Sequence, residues 1–183
     1  MITDETLYRR YLEGDESGLV ALMERYGNRL TFYINGYLHD LDDAEDLMIE
    51  AFAYLAVKKP KMQNNFKAYL YKTARHLALR FVSKNRLRRC FGFDDLGKEP
   101  ESGALVEEVI QTKERNDILH LCMERINPDY CEALYLVYFE NMRHAQAAAV
   151  MGKSEKQVAD LVYRGRNSLR IRLEQEGITN AEY

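Results

Sequence analysis

A chain of 183 residues that is 46% hydrophobic has the material for one medium domain or two small ones, each with a real core. Ten glycines and three prolines are too few for a fibrous or disordered chain, and no apolar run approaches the 18 residues that suggest a membrane span. The net charge of -3 conceals a pattern, because residues 51–93 hold 11 Lys and Arg and no acid, between two segments dominated by acid.

A second excess of base follows over residues 133–173, with 7 Lys and Arg against 3 acids. Two basic blocks separated by acid predict two surfaces for polyanions. The N-terminal MITDETLYRR has the character of neither a signal peptide nor a transit peptide. Helical periodicity then dominates, with no convincing alternating strand.

Over residues 16–38, Leu19, Leu22, Met23, Tyr26, Leu30, Tyr33, Ile34 and Tyr37 recur three or four apart, which predicts a helix. Asp42 reads as the N-cap of the next helix, with Glu45 in the reciprocal position of a capping box. That helix runs to about Val57 and buries Ala44, Leu47, Met48, Ala51, Phe52 and Leu55. Its crowd of early carboxylates is the ordinary complement of a helix dipole, not a catalytic pair.

KKPKMQNN breaks the pattern, and Asn64 or Asn65 caps a long helix to about Arg89. Its apolar stripe is Phe66, Tyr69, Leu70, Thr73, Ala74, Leu77, Phe81 and Val82. The other face carries Lys67, Lys72, Arg75, His76, Arg80, Lys84, Arg86, Arg88 and Arg89. Bases neutralise phosphates, and aromatic faces interleaved with them stack on unpaired bases.

Residues 92–103, GFDDLGKEPESG, read as a flexible acidic linker between a domain at 1–91 and a second at 104–183. A helix is expected over 104–125. Asn127 then caps a helix with Pro128 as its first residue, running to Phe139 and ending near ENM. A short helix, His144–Met151, stops at Gly152. Ser154 caps the last helix, with Gln157 reciprocating, and it runs to about Gln175.

This last arrangement is a helix-turn-helix pattern. Ala145, Ala148 and Ala149 are small enough for the two helices to cross closely. Val158, Leu161, Val162 and Leu169 form the inner face, leaving Lys153, Glu155, Lys156, Gln157, Arg164 and Arg166 exposed. The expected fold class is all-α: two small helical bundles joined by a flexible acidic linker, the second containing a helix-turn-helix.

Nothing points to an enzyme. His39, His76, His120 and His144 form no HxxxH or HxxE pair, and no GxGxxG, Walker-type loop or GxSxG occurs. No catalytic residue, metal or cofactor is expected. Cys90, Cys122 and Cys131 are odd in number and lack metal-ligand spacing, as for reduced thiols in a cytoplasmic protein.

Three stretches, in this order, resemble the extracytoplasmic-function (group 4) sigma factors of bacterial RNA polymerase. DDAEDLMIEAFAYL is similar to the family's D-A-E-D-L-V-Q-E-x-F-x-x-L. FKAYLYKTARHLALRFVSKNRLRR resembles F-x-x-W-L-x-x-I-A-x-N-x-x-x-D-x-x-R-x-x-R. INPDYCEALYLVYFENMRHAQAAAVMGKSEKQV resembles the start of the promoter-upstream domain.

The resemblance implies a factor that binds core RNA polymerase and opens promoter DNA without covalent chemistry. It implies that Asp43, Asp46 and Glu50 dock on the clamp coiled coil of the large polymerase subunit. The loop holding Lys58, Lys59, Asn64 and Asn65 would accept a flipped non-template base of the −10 element. Lys72, Arg75, Arg80, Arg86 and Arg88 would hold the DNA backbone. Ser154, Lys156, Gln157, Arg164 and Arg166 would lie nearest double-stranded −35 DNA. The family usually has an anti-sigma factor that masks both domains.

The chain departs from the pattern at Ile49, where the family has glutamine, at Tyr69 for tryptophan, and at Arg80 for an acid. Ala159, Asp160 and Leu161 replace two basic residues and a serine, and Arg143, His144 and Ala147 differ in the preceding helix. These departures predict altered −35 recognition. They leave open a helix-turn-helix regulator that never touches polymerase, or a sigma-like interaction module that does not initiate transcription.

Overall fold

The computed structural model describes residues 2–61, 65–90, 119, 122–123 and 125–176, with the side chains of 85–90 outside that description. Among the described residues every regular element is helical, as periodicity predicts. The chain divides into two compact units. The first contains α1 (Asp4–Leu12), α2 (Ser17–Leu38), α3 (Leu41–Lys58) and α4 (Phe66–Cys90). Later in the chain come α5 (Pro128–Leu134), a π-helical turn (Tyr135–Phe139), α6 (His144–Met151) and α7 (Glu155–Gln175). The expected linker at 92–103 and most of the helix expected over 104–125 lie outside the described residues.

Helix α1 went unanticipated. It is only nine residues long and buries Leu7, Tyr8 and Tyr11, too few positions for a period to stand out. Thr3 caps it, accepting from the Thr6 amide at 3.3 Å. Two tyrosine hydroxyls tie it to the end of α3: Tyr8 donates to the Pro60 carbonyl at 2.9 Å and Tyr11 to the Ala56 carbonyl at 3.0 Å. Burial, with Tyr69 and Tyr11 close by, pushes the Tyr8 phenol up to about 12. Asp4 pairs with Arg25 and accepts from the Tyr26 hydroxyl. The backbones of α1 and α2 meet at Gly18, where an added Cβ would sit 2.2 Å from the Leu7 carbonyl oxygen.

Helix α2 stops at His39, whose left-handed backbone (φ 55°) returns its N–H to the Asn35 carbonyl at 2.9 Å. The start of α3 corrects the expected cap. Asp40, not Asp42, is the N-cap, accepting from the Asp43 amide at 3.0 Å. Both aspartates have an acid three residues on; the left-handed His39 ends α2 immediately before Asp40 and decides between them. Asp42 and Asp43 therefore lie in the first turn, where the dipole favours them.

The core of this unit is aromatic. Phe66 and Tyr71 from α4 are fully buried. Phe66 lies 5.3 Å from Tyr8, and Tyr71 lies 5.1 Å from Tyr33, between ring centroids. Tyr71 thus belongs to the core stripe, whereas Tyr69 is half-buried at its edge.

In the second half, local capping signals place the helices as expected. Asn127 accepts from the Asp129 amide at 2.9 Å with Pro128 opening α5. The expected single helix to Phe139 instead changes winding at Tyr135, and Glu140 N–H bonds to Tyr135 O at 3.0 Å across one extra residue. Gly152 (φ 66°) ends α6. Ser154 accepts from the Gln157 amide at 3.2 Å while Gln157 Oε1 accepts from the Ser154 amide at 2.8 Å. Ser154→Ala is expected to remove about 1 kcal/mol from this unit, read as a lowered midpoint in urea unfolding.

The expected alanine seam needs correction: Ala147 and Ala148 are buried, while Ala145 and Ala149 face solvent. On α7, Val158 and Val162 are buried as expected, Leu161 and Leu169 only partly. Gly165 completes that face. A Cβ there would lie 3.2 Å from side-chain atoms of Leu134 and Tyr130, so its absence lets α5 lie close against α7.

Candidate nucleic-acid interface

Three charged faces result. The first is on α3. Its buried side is Ala44, Leu47, Met48, Ala51, Phe52 and Leu55, which leaves Asp42, Asp46, Ile49, Glu50, Ala53 and Val57 on one exposed face. The face spans about 22 Å at 1.5 Å per residue. It is acidic at its start and apolar at its end, where Val57 is 80% exposed. Of the expected docking residues, Asp46 and Glu50 stand free in solvent, whereas Asp43 is half-buried and already carries an interaction. The apolar half was not anticipated, although Ile49 in place of the family's glutamine was its visible sign.

The second face is on α4. Lys72, His76, Arg80 and Lys84 follow at four-residue steps, all exposed, with no acid on the helix. Arg75 sits partly buried beside this row and already has a partner. The side chains of Arg86 and Arg88 lie outside the described residues. Lys67 is turned onto the core, its Nζ 5.8 Å from the Tyr26 ring and 6.0 Å from the Tyr71 ring. At the edge of α4, Tyr69 is hydrogen-bonded to Tyr54; burial, then Tyr54, raises its phenol above the usual range.

Between α3 and α4, the loop is anchored at both described ends. Lys58 is exposed. Lys59 adopts a left-handed conformation (φ 41°) and lays its ammonium 5.0 Å from the Tyr11 ring. Asn65 is exposed, also left-handed (φ 74°), and engaged in an interaction. Asn64 lies outside the described residues. The Pro60 carbonyl is held by Tyr8, so α1 braces the loop from behind.

The third face is the exposed side of α7. Lys156, Arg164 and Arg166 point to solvent, the two arginines diverging on either side of the buried Gly165. Ser154 and Gln157 are exposed but spend part of their hydrogen-bonding capacity on each other. The Ser154 O–H and the Gln157 side-chain N–H₂ remain free to donate outward.

Among the described residues no cluster of three His, Cys, Asp or Glu is placed to hold a metal, and no helix is long and apolar enough to cross a membrane. Neither Cys122 nor Cys131 is in a disulfide, and burial raises the Cys122 thiol above its usual range.

Known proteins resemble both parts of the chain. Residues 22–88 match the family model of sigma-70 region 2, and residues 116–169 match that of sigma-70 region 4. The sigma-E factor of Escherichia coli K12 is 24% identical over 178 residues, covering 92% of this chain and 93% of that protein. The sigma factor SigM of Bacillus subtilis is 25% identical over 155 residues, covering 81% and 91%. Among solved structures, RpoE of Bartonella quintana, in complex with the anti-sigma factor NepR, has a TM-score of 0.61 at 20% identity, covering 84% of this chain and 95% of that one. CnrH, solved with the cytosolic domain of CnrY, has a TM-score of 0.62 at 19% identity, covering 94% and 97%. A chain carrying both matched regions in this order belongs to the sigma-70 family of RNA polymerase sigma factors, in its extracytoplasmic-function group.

Proposed function

We propose that the three exposed faces divide the work of initiation among separate partners. As a sigma factor the protein is not an enzyme; it binds core RNA polymerase and directs promoter recognition and transcription initiation. In this reading residues 1–91 form the domain for polymerase and the −10 element, residues 104–183 the domain for the −35 element, and 92–103 the connection. The factor acts in the cytoplasm, where polymerase is.

The acidic start of α3, with Asp46 and Glu50 outermost, docks on a basic surface of core polymerase. The row Lys72, Arg80 and Lys84, continued by Arg86 and Arg88, follows the phosphate backbone, with Arg75 beside it. The loop from Lys58 and Lys59 to Asn64 and Asn65 receives a base flipped out of the −10 duplex. Unstacking a base costs a few kcal/mol, offset by contacts in the receiving loop. Pre-bracing that loop through Tyr8 and Tyr11 lowers the ordering cost at the moment of capture. Lys156, Arg164 and Arg166, with the free donors of Ser154 and Gln157, hold the −35 duplex.

The observation that carries this reading is the separation of sign: adjacent helices of one bundle expose an acidic face and an acid-free basic face. One partner cannot satisfy both; a protein and a nucleic acid can. The test is co-elution of the purified protein with bacterial core polymerase on a sizing column at moderate salt. A complex is expected, and its absence would overturn the docking assignment. For DNA, Lys72→Ala and Arg80→Ala should each lower the slope of log affinity against log salt by about one for duplex or slightly less for single strand. An unchanged slope would remove the residue from the phosphate row.

Two of the structural relatives were solved with anti-sigma or cytosolic partner domains. An inhibitor of that kind is the natural further partner for this chain, with the apolar end of the α3 face, Val57 and Ile49, as its contact.

A further inference from the structure

On the exposed side of α7, Glu155 lies in the first turn, where the helix dipole favours an acid, and Glu174 lies near the end beside Arg170; Asp160 stands between them among cations and polar groups. Helical geometry places Lys156, Gln157, Tyr163 and Arg164 about one turn from it on the same side, and Asn167 two turns on. Asp160 is exposed and pairs with no described residue. It is the sixth residue of α7, after a start fixed by the Ser154–Gln157 capping box and the Gly152 turn. Tyr163, in the next turn, is 70% exposed.

An acid at this place needs a reason. If the face met only phosphates, Asp160 would repel them and cancel a neighbouring lysine or arginine. A carboxylate accepts hydrogen bonds and donates none. In the major groove the donors it could use are base amino groups, cytosine N4 and adenine N6. Adenine sets its N7 acceptor beside N6, which repels a carboxylate. Cytosine has only a C–H on that side, so its amino group is the better match. The second helix of a helix-turn-helix puts its N-terminal turns against base edges, and Asp160 lies within them.

We propose that Asp160 is a specificity-determining residue that reads a cytosine in the upstream promoter element through its N4 amino group. The contact rests on the reading that α7 enters the −35 major groove. Within it, Lys156 and Arg164, one turn to either side, hold the DNA while Asp160 selects. The negative charge lowers affinity for every sequence that does not present an amino group there, so discrimination comes partly from repulsion.

The test uses holoenzyme assembled from core polymerase and the full chain, selecting from a DNA library randomised across the upstream element. The wild-type holoenzyme should enrich cytosine at one upstream position. Asp160→Ala should reduce that preference about tenfold, leave the other positions unchanged, and raise binding to unrelated DNA. Asp160→Asn should move the same position toward adenine, which asparagine reads through N6 and N7. An upstream preference that persists unaltered in both variants would overturn the cytosine contact alone. No upstream preference from the wild-type holoenzyme would overturn the placement of α7 in the groove and the contact with it.

Discussion

Replacing Asp46 by lysine should weaken binding to core polymerase about 30-fold, some 2 kcal/mol, while leaving the melting temperature within about 3 °C. The two halves of that expectation have separate causes. Asp46 is exposed and lies beyond the first turn of α3, so neither core packing nor the helix dipole depends on it. Its neighbours four residues away, Asp42 and Glu50, are both acids on the same face. Like charges at that spacing oppose the helix by about 0.2–0.5 kcal/mol per pair. A lysine at this position turns both repulsions into attractions, so the isolated protein should be slightly steadier. A chain that keeps three like charges in a row against its own stability keeps them for a partner. Binding measured by fluorescence anisotropy of labelled protein against core polymerase decides the matter. Unchanged affinity would reduce the acidic face to solvation.

The charge blocks were legible because charge is a property of residue type, and helical spacing assigns it to a face. What each charged group is doing was not legible, because that depends on neighbours distant in sequence. Asp43, Arg75 and Lys59 all read as surface contacts, yet the first two already carry interactions and the third covers Tyr11. Ser154 shows the intermediate case. Its capping box is visible in four consecutive residues, and the same box occupies groups that the resemblance assigns to DNA.

Helix ends follow the same division. Asn127 with Pro128, Gly152, and Ser154 with Gln157 are local signals, and each end falls where the signal sets it. The start of α3 had two equivalent local solutions two residues apart, and the left-handed turn at His39 selects the earlier one. The change of winding at Tyr135 has no local signal at all, since YLVYF is as apolar as a regular turn would be. Gly18 and Gly165 are ordinary helical glycines in the sequence. Their importance lies in the helix opposite, and only the packed structure brings that helix into view.

Gly18→Ala is accordingly the substitution expected to damage the first unit most. In a solvent-facing helix position, alanine for glycine stabilises by about 0.5–1 kcal/mol. At Gly18 the new Cβ would stand 2.2 Å from the Leu7 oxygen, 3.0 Å from the Tyr11 nitrogen and 3.2 Å from the Leu7 carbonyl carbon. All three are backbone atoms, so no rotamer change relieves the clash, and α1 must shift or detach. Its movement withdraws Leu7, Tyr8 and Tyr11 from the core and strains the hydroxyl bonds to Ala56 and Pro60. A loss of about 3 kcal/mol follows, which lowers the melting temperature of a unit this size by about 15 °C. Gly36→Ala is the control. It lies in the same helix with nothing within 4 Å of the new Cβ, and it should raise the melting temperature. If both variants melt higher than the wild type, the close approach of α1 to α2 is wrong. If Gly18→Ala alone melts early, hydrogen exchange should quicken in α1 and at the end of α3 together. The Pro60 carbonyl is held from α1, so the loop proposed to receive the flipped base loosens with it, and promoter opening should fall in a chain whose basic α4 face is intact.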